Sequence, residues 1–164
     1  MKKGQAAMEF LMTYGWAILV VIAAIGALAY FGILNPVNFM SEVCAGTPGV
    51  DCLEKATVTA SDDVIKFAIK NNIGTAINIT AATADGDCGA TPSAFTVTPD
   101  GGSVRDVKAG HPATLQPDQQ AIAALTCAND LKAGKISTQI TLTYKTLTTK
   151  LDHPSVITVK ARAS

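Results

Sequence analysis

From residue 10 through residue 41 the chain carries no charged side chain, and Glu9 is the last charge before that gap. No other feature restricts the fold as much. Residues 5–34 read as a single helix, roughly 45 Å long at about 1.5 Å per residue. That is longer than the ~20 residues that cross a bilayer. Asn35-Pro36 ends it, because proline lacks the amide donor and biases the preceding residue away from helical geometry. The helix is apolar on every side, which suits one surrounded by lipid or by other helices. It also explains why charged residues are only 16% of the 164, against roughly 25% in an ordinary soluble protein.

The span admits three readings: a secretory signal peptide cut near Ala27-Leu28-Ala29, a plain N-terminal anchor, or a prepilin-type leader cut after Gly4. Details favour the third. The positive region is only Lys2 and Lys3 and ends at Gly4, and Glu9 lies inside the hydrophobic block. A carboxylate on a spanning helix costs roughly 2.5–3.5 kcal/mol on insertion scales, and such residues are usually functional and partnered. In a helical bundle Glu9 can meet the α-amino group of Gln5 on a neighbouring subunit and fix the axial register, although desolvation offsets much of the attraction. Small residues (Ala6, Ala7, Gly15, Ala17, Ala23, Ala24, Gly26, Ala27, Ala29, Gly32) allow close backbone approach between helices. Phe10 and Tyr14 stand four apart on one face.

The stretch Lys2-Lys3-Gly4-Gln5-Ala6-Ala7-Met8-Glu9-Phe10-Leu11-Met12-Thr13-Tyr14-Gly15-Trp16-Ala17 resembles the class III signal peptide of archaeal type IV pilins. The resemblance covers about 30 residues. It implies a prepilin peptidase that cuts between Gly4 and Gln5, and it maps the family's Gln and downstream Glu onto Gln5 and Glu9; Phe10 and Tyr14, on one helix face, are expected to join Glu9 in assembly. Ala7 stands where the family usually has serine. Gln5 separates the chain from bacterial type IV pilins, whose mature helix begins with phenylalanine. The adhesion-type pilins of archaea fit better than archaellins.

Residues 35–56 read as a neck, with turn-forming Gly46-Thr47-Pro48-Gly49 between Cys44 and Cys52. Residues 57–164 alternate with period two: Ile65, Phe67 and Ile69, then Ile77 and Ile79, then Ile140, Leu142 and Tyr144, then Ile157 and Val159. Turn signals separate these runs at Asn71-Asn72, Asp85-Gly86-Asp87, Pro99-Asp100-Gly101-Gly102, Gly110-His111-Pro112 and Asp152-His153-Pro154. The expected fold is α+β: a long N-terminal hydrophobic helix followed by an antiparallel, immunoglobulin-like β-sandwich head. Residues 1–4 are the leader and 5–34 the assembly helix.

Four cysteines behind an export leader suggest two disulfides in an oxidising exterior, with three pairings possible. Cys44–Cys52 closes a short loop at the junction, in agreement with the cysteine pairs that follow the helix in pilins of the resembled type. Cys88–Cys127 then follows by exclusion. No C-x-x-C is present and no histidine neighbours the cysteines, so no metal site is expected. Asp85-Gly86-Asp87 and Ser61-Asp62-Asp63 read as turns, because the six to eight oxygen ligands of Ca²⁺ are not visible. Asn78-Ile79-Thr80 is a glycosylation sequon on the outward side of its strand. The Thr-rich last strands fit β-branching, and equally a hydroxyl-rich outer face for O-glycans or a hydrated fibre surface.

No catalytic motif and no cofactor signature occurs, and His111 and His153 read as solvated turn residues. A formal charge of zero gives no basis for nucleic-acid capture. The expected function is the structural subunit of a surface filament for adhesion and attachment. The precursor sits in the membrane with its lysines cytoplasmic, and the subunit polymerises with its own copies through the helices, served by the peptidase and pilus assembly machinery. The alternative is a membrane-anchored or secreted β-sandwich binding domain that does not polymerise. A minor pilin that primes or caps a filament is a further variant.

Overall fold

The computed structural model describes residues 3–31, 41–108 and 110–164. It divides into two units, Met1–Met40 and Ser41–Ser164.

The first unit contains α1, Lys3–Tyr30. Its last turn is closed by the Phe31 amide, which donates to the Ala27 carbonyl at 3.0 Å. The expected stop at Asn35-Pro36, with Gly32 and Leu34 before it, lies outside the described residues.

The second unit is a β domain of eleven strands: β1 Val43–Gly46, β2 Val50–Cys52, β3 Thr57–Thr59, β4 Val64–Asn71, β5 Ile77–Ala84, β6 Ala94–Pro99, β7 Arg105–Asp106, β8 Ala113–Leu115, β9 Gln120–Thr126, β10 Gly134–Thr146 and β11 Asp152–Ala163. They follow one hydrogen-bonded path, β7-β6-β9-β4-β3-β11-β10-β5-β8, with β1 added to β11 and β2 to β4. Every pairing is antiparallel except β3 with β11, which is parallel and touches at Val58 and Ala163. An immunoglobulin-like sandwich keeps two sheets apart. Here that narrow parallel join links the two antiparallel halves, and the sheet curls into a barrel-like form.

The period-two pattern is explained by what lies inside. Ile65, Phe67 and Ile69 of β4, Ile77 and Ile79 of β5, Ile140 and Leu142 of β10, and Ile157 and Val159 of β11 are all buried in one cluster. Burying each such side chain contributes about 1.5–3 kcal/mol. Strands β6 and β9 add Phe95, Val97, Ala121, Ala123 and Leu125 to the same core.

Two turn expectations require correction. Asp152-His153-Pro154 begins β11, with His153 opposite Tyr144. Pro154 is tolerated because β1 covers β11 only at residues 157–160, so its missing donor faces no partner strand. The reversal lies instead at residues 147–150, where Lys150 takes φ 57°. Asn71-Asn72 is also not a simple turn. Asn71 closes β4 and is fully buried. Its Nδ2 donates to the carbonyls of Thr75 (2.8 Å), Leu115 (3.2 Å) and Gln116 (3.1 Å), while Oδ1 accepts from the Ile73 amide (3.1 Å). One side chain thereby fastens the β4–β5 connection to the end of β8.

The stretch read as a neck, 35–56, contains β1 and β2, which pair with β11 and β4. Its first part, 35–40, lies outside the described residues.

Candidate functional site

The surface with the most unusual chemistry is α1. From Met8 to Tyr30 it is long and apolar enough to cross a membrane, with a mean hydropathy of 2.2. Those 23 residues extend about 35 Å, slightly more than the roughly 30 Å hydrocarbon core of a bilayer. Large apolar side chains are exposed all around: Met12 is 80% accessible, Trp16 73% and Ile22 65%. A soluble helix turns one stripe inward; this one has none.

Gly4 and Gln5 lie in the first turns of the helical backbone. Glu9 is exposed, and its backbone carbonyl accepts a hydrogen bond from Thr13 Oγ1 at 2.9 Å. The rings of Phe10 and Tyr14 are 4.5 Å apart. Gly15 and Gly26 matter for a different reason. A Cβ added at either would meet nothing within 4 Å. Glycine inside a helix costs about 0.8–1 kcal/mol relative to alanine, and no contact among the described residues gives a reason for that cost.

In the head, Cys44–Cys52 joins β1 to β2, and Cys88–Cys127 ties the turn after β5 to the end of β9. Their Cα atoms are 5.7 and 4.7 Å apart, within the usual disulfide range. Asn78 is half-buried on β5, where its Oδ1 accepts from Thr114 Oγ1 at 2.7 Å. The Thr80 hydroxyl of the same sequon donates to the Thr143 carbonyl at 3.1 Å.

The acidic turns are occupied by backbone amides. Asp85 Oδ1 caps Gly86 at the start of a short 3₁₀ turn, Gly86–Cys88. Asp87 Oδ2 accepts from the Ser137 amide at 2.8 Å, and Asp63 Oδ1 from the Leu131 amide at 2.6 Å. Among the described residues no three His, Cys, Asp or Glu side chains are grouped to hold a metal ion. His111 is exposed in a bridge to Lys108, whereas His153 stacks on Tyr144 with centroids 5.6 Å apart. His111 is thus a solvated residue beside a turn, whereas the strand position of His153 and the buried role of Asn71 are not legible in the sequence, because Asp-His-Pro and Asn-Asn carry the usual signature of a turn.

No protein-family model matches the chain, and no curated protein matches its sequence. Among solved structures, the CooA pilin subunit from enterotoxigenic Escherichia coli aligns with 71% of this chain and 99% of its own, at 15% identity and a TM-score of 0.36.

Proposed function

We propose that this chain is the structural subunit of a type IV pilus-like surface filament of an archaeal cell, serving adhesion and surface attachment. The observation that carries the reading is α1. The chain builds an apolar rod exposed on every side, with a carboxylate near one end and two glycines that no contact among the described residues requires. Such a helix is stable only in lipid or among other helices.

In the proposed sequence of events, the precursor lies in the cytoplasmic membrane and a prepilin peptidase removes residues 1–4 between Gly4 and Gln5. Assembly machinery then exchanges the lipid around residues 5–34 for neighbouring helices. Glu9 pairs with the new α-amino group of Gln5 on an adjacent subunit, which fixes register, and Phe10 and Tyr14 pack between helices. The segment 35–56 leads into the head, 57–164, which tiles the outside. Asn78 is the proposed glycan acceptor.

Glu9→Gln tests the reading. It is expected to leave cleavage intact and to cut the yield of pelleted fibres by about tenfold, as losing a charge pair in a low-dielectric core implies. Full fibre yield from that variant would remove the register role. A native protein that never pellets as fibres would leave a non-polymerising anchored or secreted binding domain.

A further inference from the structure

The head leaves several apolar side chains in water, Val43, Leu53 and Val104 among them, and two further groups form distinct patches. One is the turn between β10 and β11, where Leu147 and Leu151 are 49% and 62% exposed on either side of Lys150. This turn is firmly built. The Lys150 amide donates to the Thr146 carbonyl at 2.9 Å, and the Thr146 and Thr149 hydroxyls are hydrogen-bonded at 2.5 Å. Lys150 is held at φ 57°, a conformation that a residue with a Cβ rarely adopts. A preformed projection loses little entropy on docking.

The other place is a hollow of about 360 Å³ on the outer face of β4, β6 and β9. Ile122 stands in it, 56% exposed, between Ala68 of β4 and Thr98 of β6 in register, with Pro99 beside them. Outward positions on a half-solvated strand are ordinarily polar. A solvent-facing isoleucine between alanine and threonine, with a proline beside it, is surface that a partner's apolar side chain would cover. Two carboxylates, Glu54 and Asp100, also line the hollow.

We propose that the 147–151 turn of one subunit docks into this hollow on another copy of the chain. Leu151 and Leu147 cover Ile122 and Ala68, and Lys150 meets Glu54 and Asp100. The two patches complement each other in both apolarity and charge. They are different surfaces, so the contact is heterologous and repeats along an open polymer instead of closing a dimer. This contact presupposes the filament reading above and specifies which faces join the heads.

Filaments of full-length subunits carrying Leu151→Cys and Ile122→Cys together, oxidised in place and separated under denaturing, non-reducing conditions, provide the test. The expected result is a ladder of dimers, trimers and higher multimers, whereas each single-cysteine variant stops at dimer or monomer. Intact filaments without a ladder would overturn the contact and leave polymerisation standing. Absence of filaments from the unaltered protein would instead remove the filament reading itself. Should the double-cysteine subunit fail to assemble, charge reversal decides. Lys150→Glu is expected to lower pelleted filament at least about threefold, and adding Glu54→Lys with Asp100→Lys to restore it. Unchanged yield from Lys150→Glu, or no recovery in the combined variant, overturns the contact.

Discussion

The helix and the head solve the problem of apolar surface in opposite ways. The head alternates, so that Ile65, Phe67, Ile69 and their counterparts on β5, β10 and β11 face one core while Lys66, Asn78 and Thr141 face outward. Its costliest polar and sulfur residues have partners within the same unit: Asn71 satisfies three carbonyls, and the cysteines are joined in pairs. Among the described residues the helix buries none of its apolar side chains, and it contains glycines that answer to nothing nearby. Sequence features that look costly inside one chain therefore separate into two kinds. Some are explained by the fold, and others point to surroundings that the chain does not supply.

This contrast can be broken by substitutions that act on one unit only. The largest expected effect is in the head. Replacing Cys88 and Cys127 by serine opens a link spanning 39 residues, and loop-closure entropy puts the loss at about 4 kcal/mol. Thermal or denaturant unfolding of the head is the measurement, and detergent extraction of the helix should not change. The shorter Cys44–Cys52 link should matter less, at about 2.5 kcal/mol on the same basis.

Next comes Asn71→Ala. It strands buried backbone groups that the amide now satisfies, at an expected cost of about 2–3 kcal/mol in denaturant unfolding. Asn72→Ala, one residue on and exposed, loses a solvent-facing hydrogen bond to Asp51 and should cost at most about 1 kcal/mol. Equal effects of the two would mean that Asn71 is an ordinary turn residue after all.

The smallest effect on the chain alone should come from Gly26→Ala. With nothing within 4 Å of the new methyl group, the isolated helix should gain about 0.8–1 kcal/mol in propensity. If Gly26 serves close helix approach, circular dichroism in micelles will show equal or greater helicity while fibre yield falls. A rise in both would mean that the glycine has no role between helices.

How much was legible beforehand follows from the size of the local signal. The charge-free run and the alternating isoleucines are strong, periodic contrasts, and they placed α1, β4, β5, β10 and β11. Strand β9 reads Ala121-Ile122-Ala123-Ala124-Leu125, where alanine on both faces flattens the alternation and Ile122 points outward. Strands β1 and β2 are four and three residues long, and their pairing with β11 and β4 depends on partners more than a dozen residues away. The Asp152-His153-Pro154 triplet carries turn chemistry, yet a strand is allowed there because one side of β11 is open at that point. The parallel join of β3 to β11 is a property of how the sheet curls, which local pattern does not encode.

The central claim is that the helix is freed by a cut before Gln5 and then holds a polymer together. N-terminal mass spectrometry of protein recovered from pelleted surface fibres tests it most directly. The predicted result is a chain beginning at Gln5. A chain beginning at Met1 or Lys2 would make α1 a simple anchor, and one beginning near Tyr30 would make it a discarded signal peptide; either contradicts the claim.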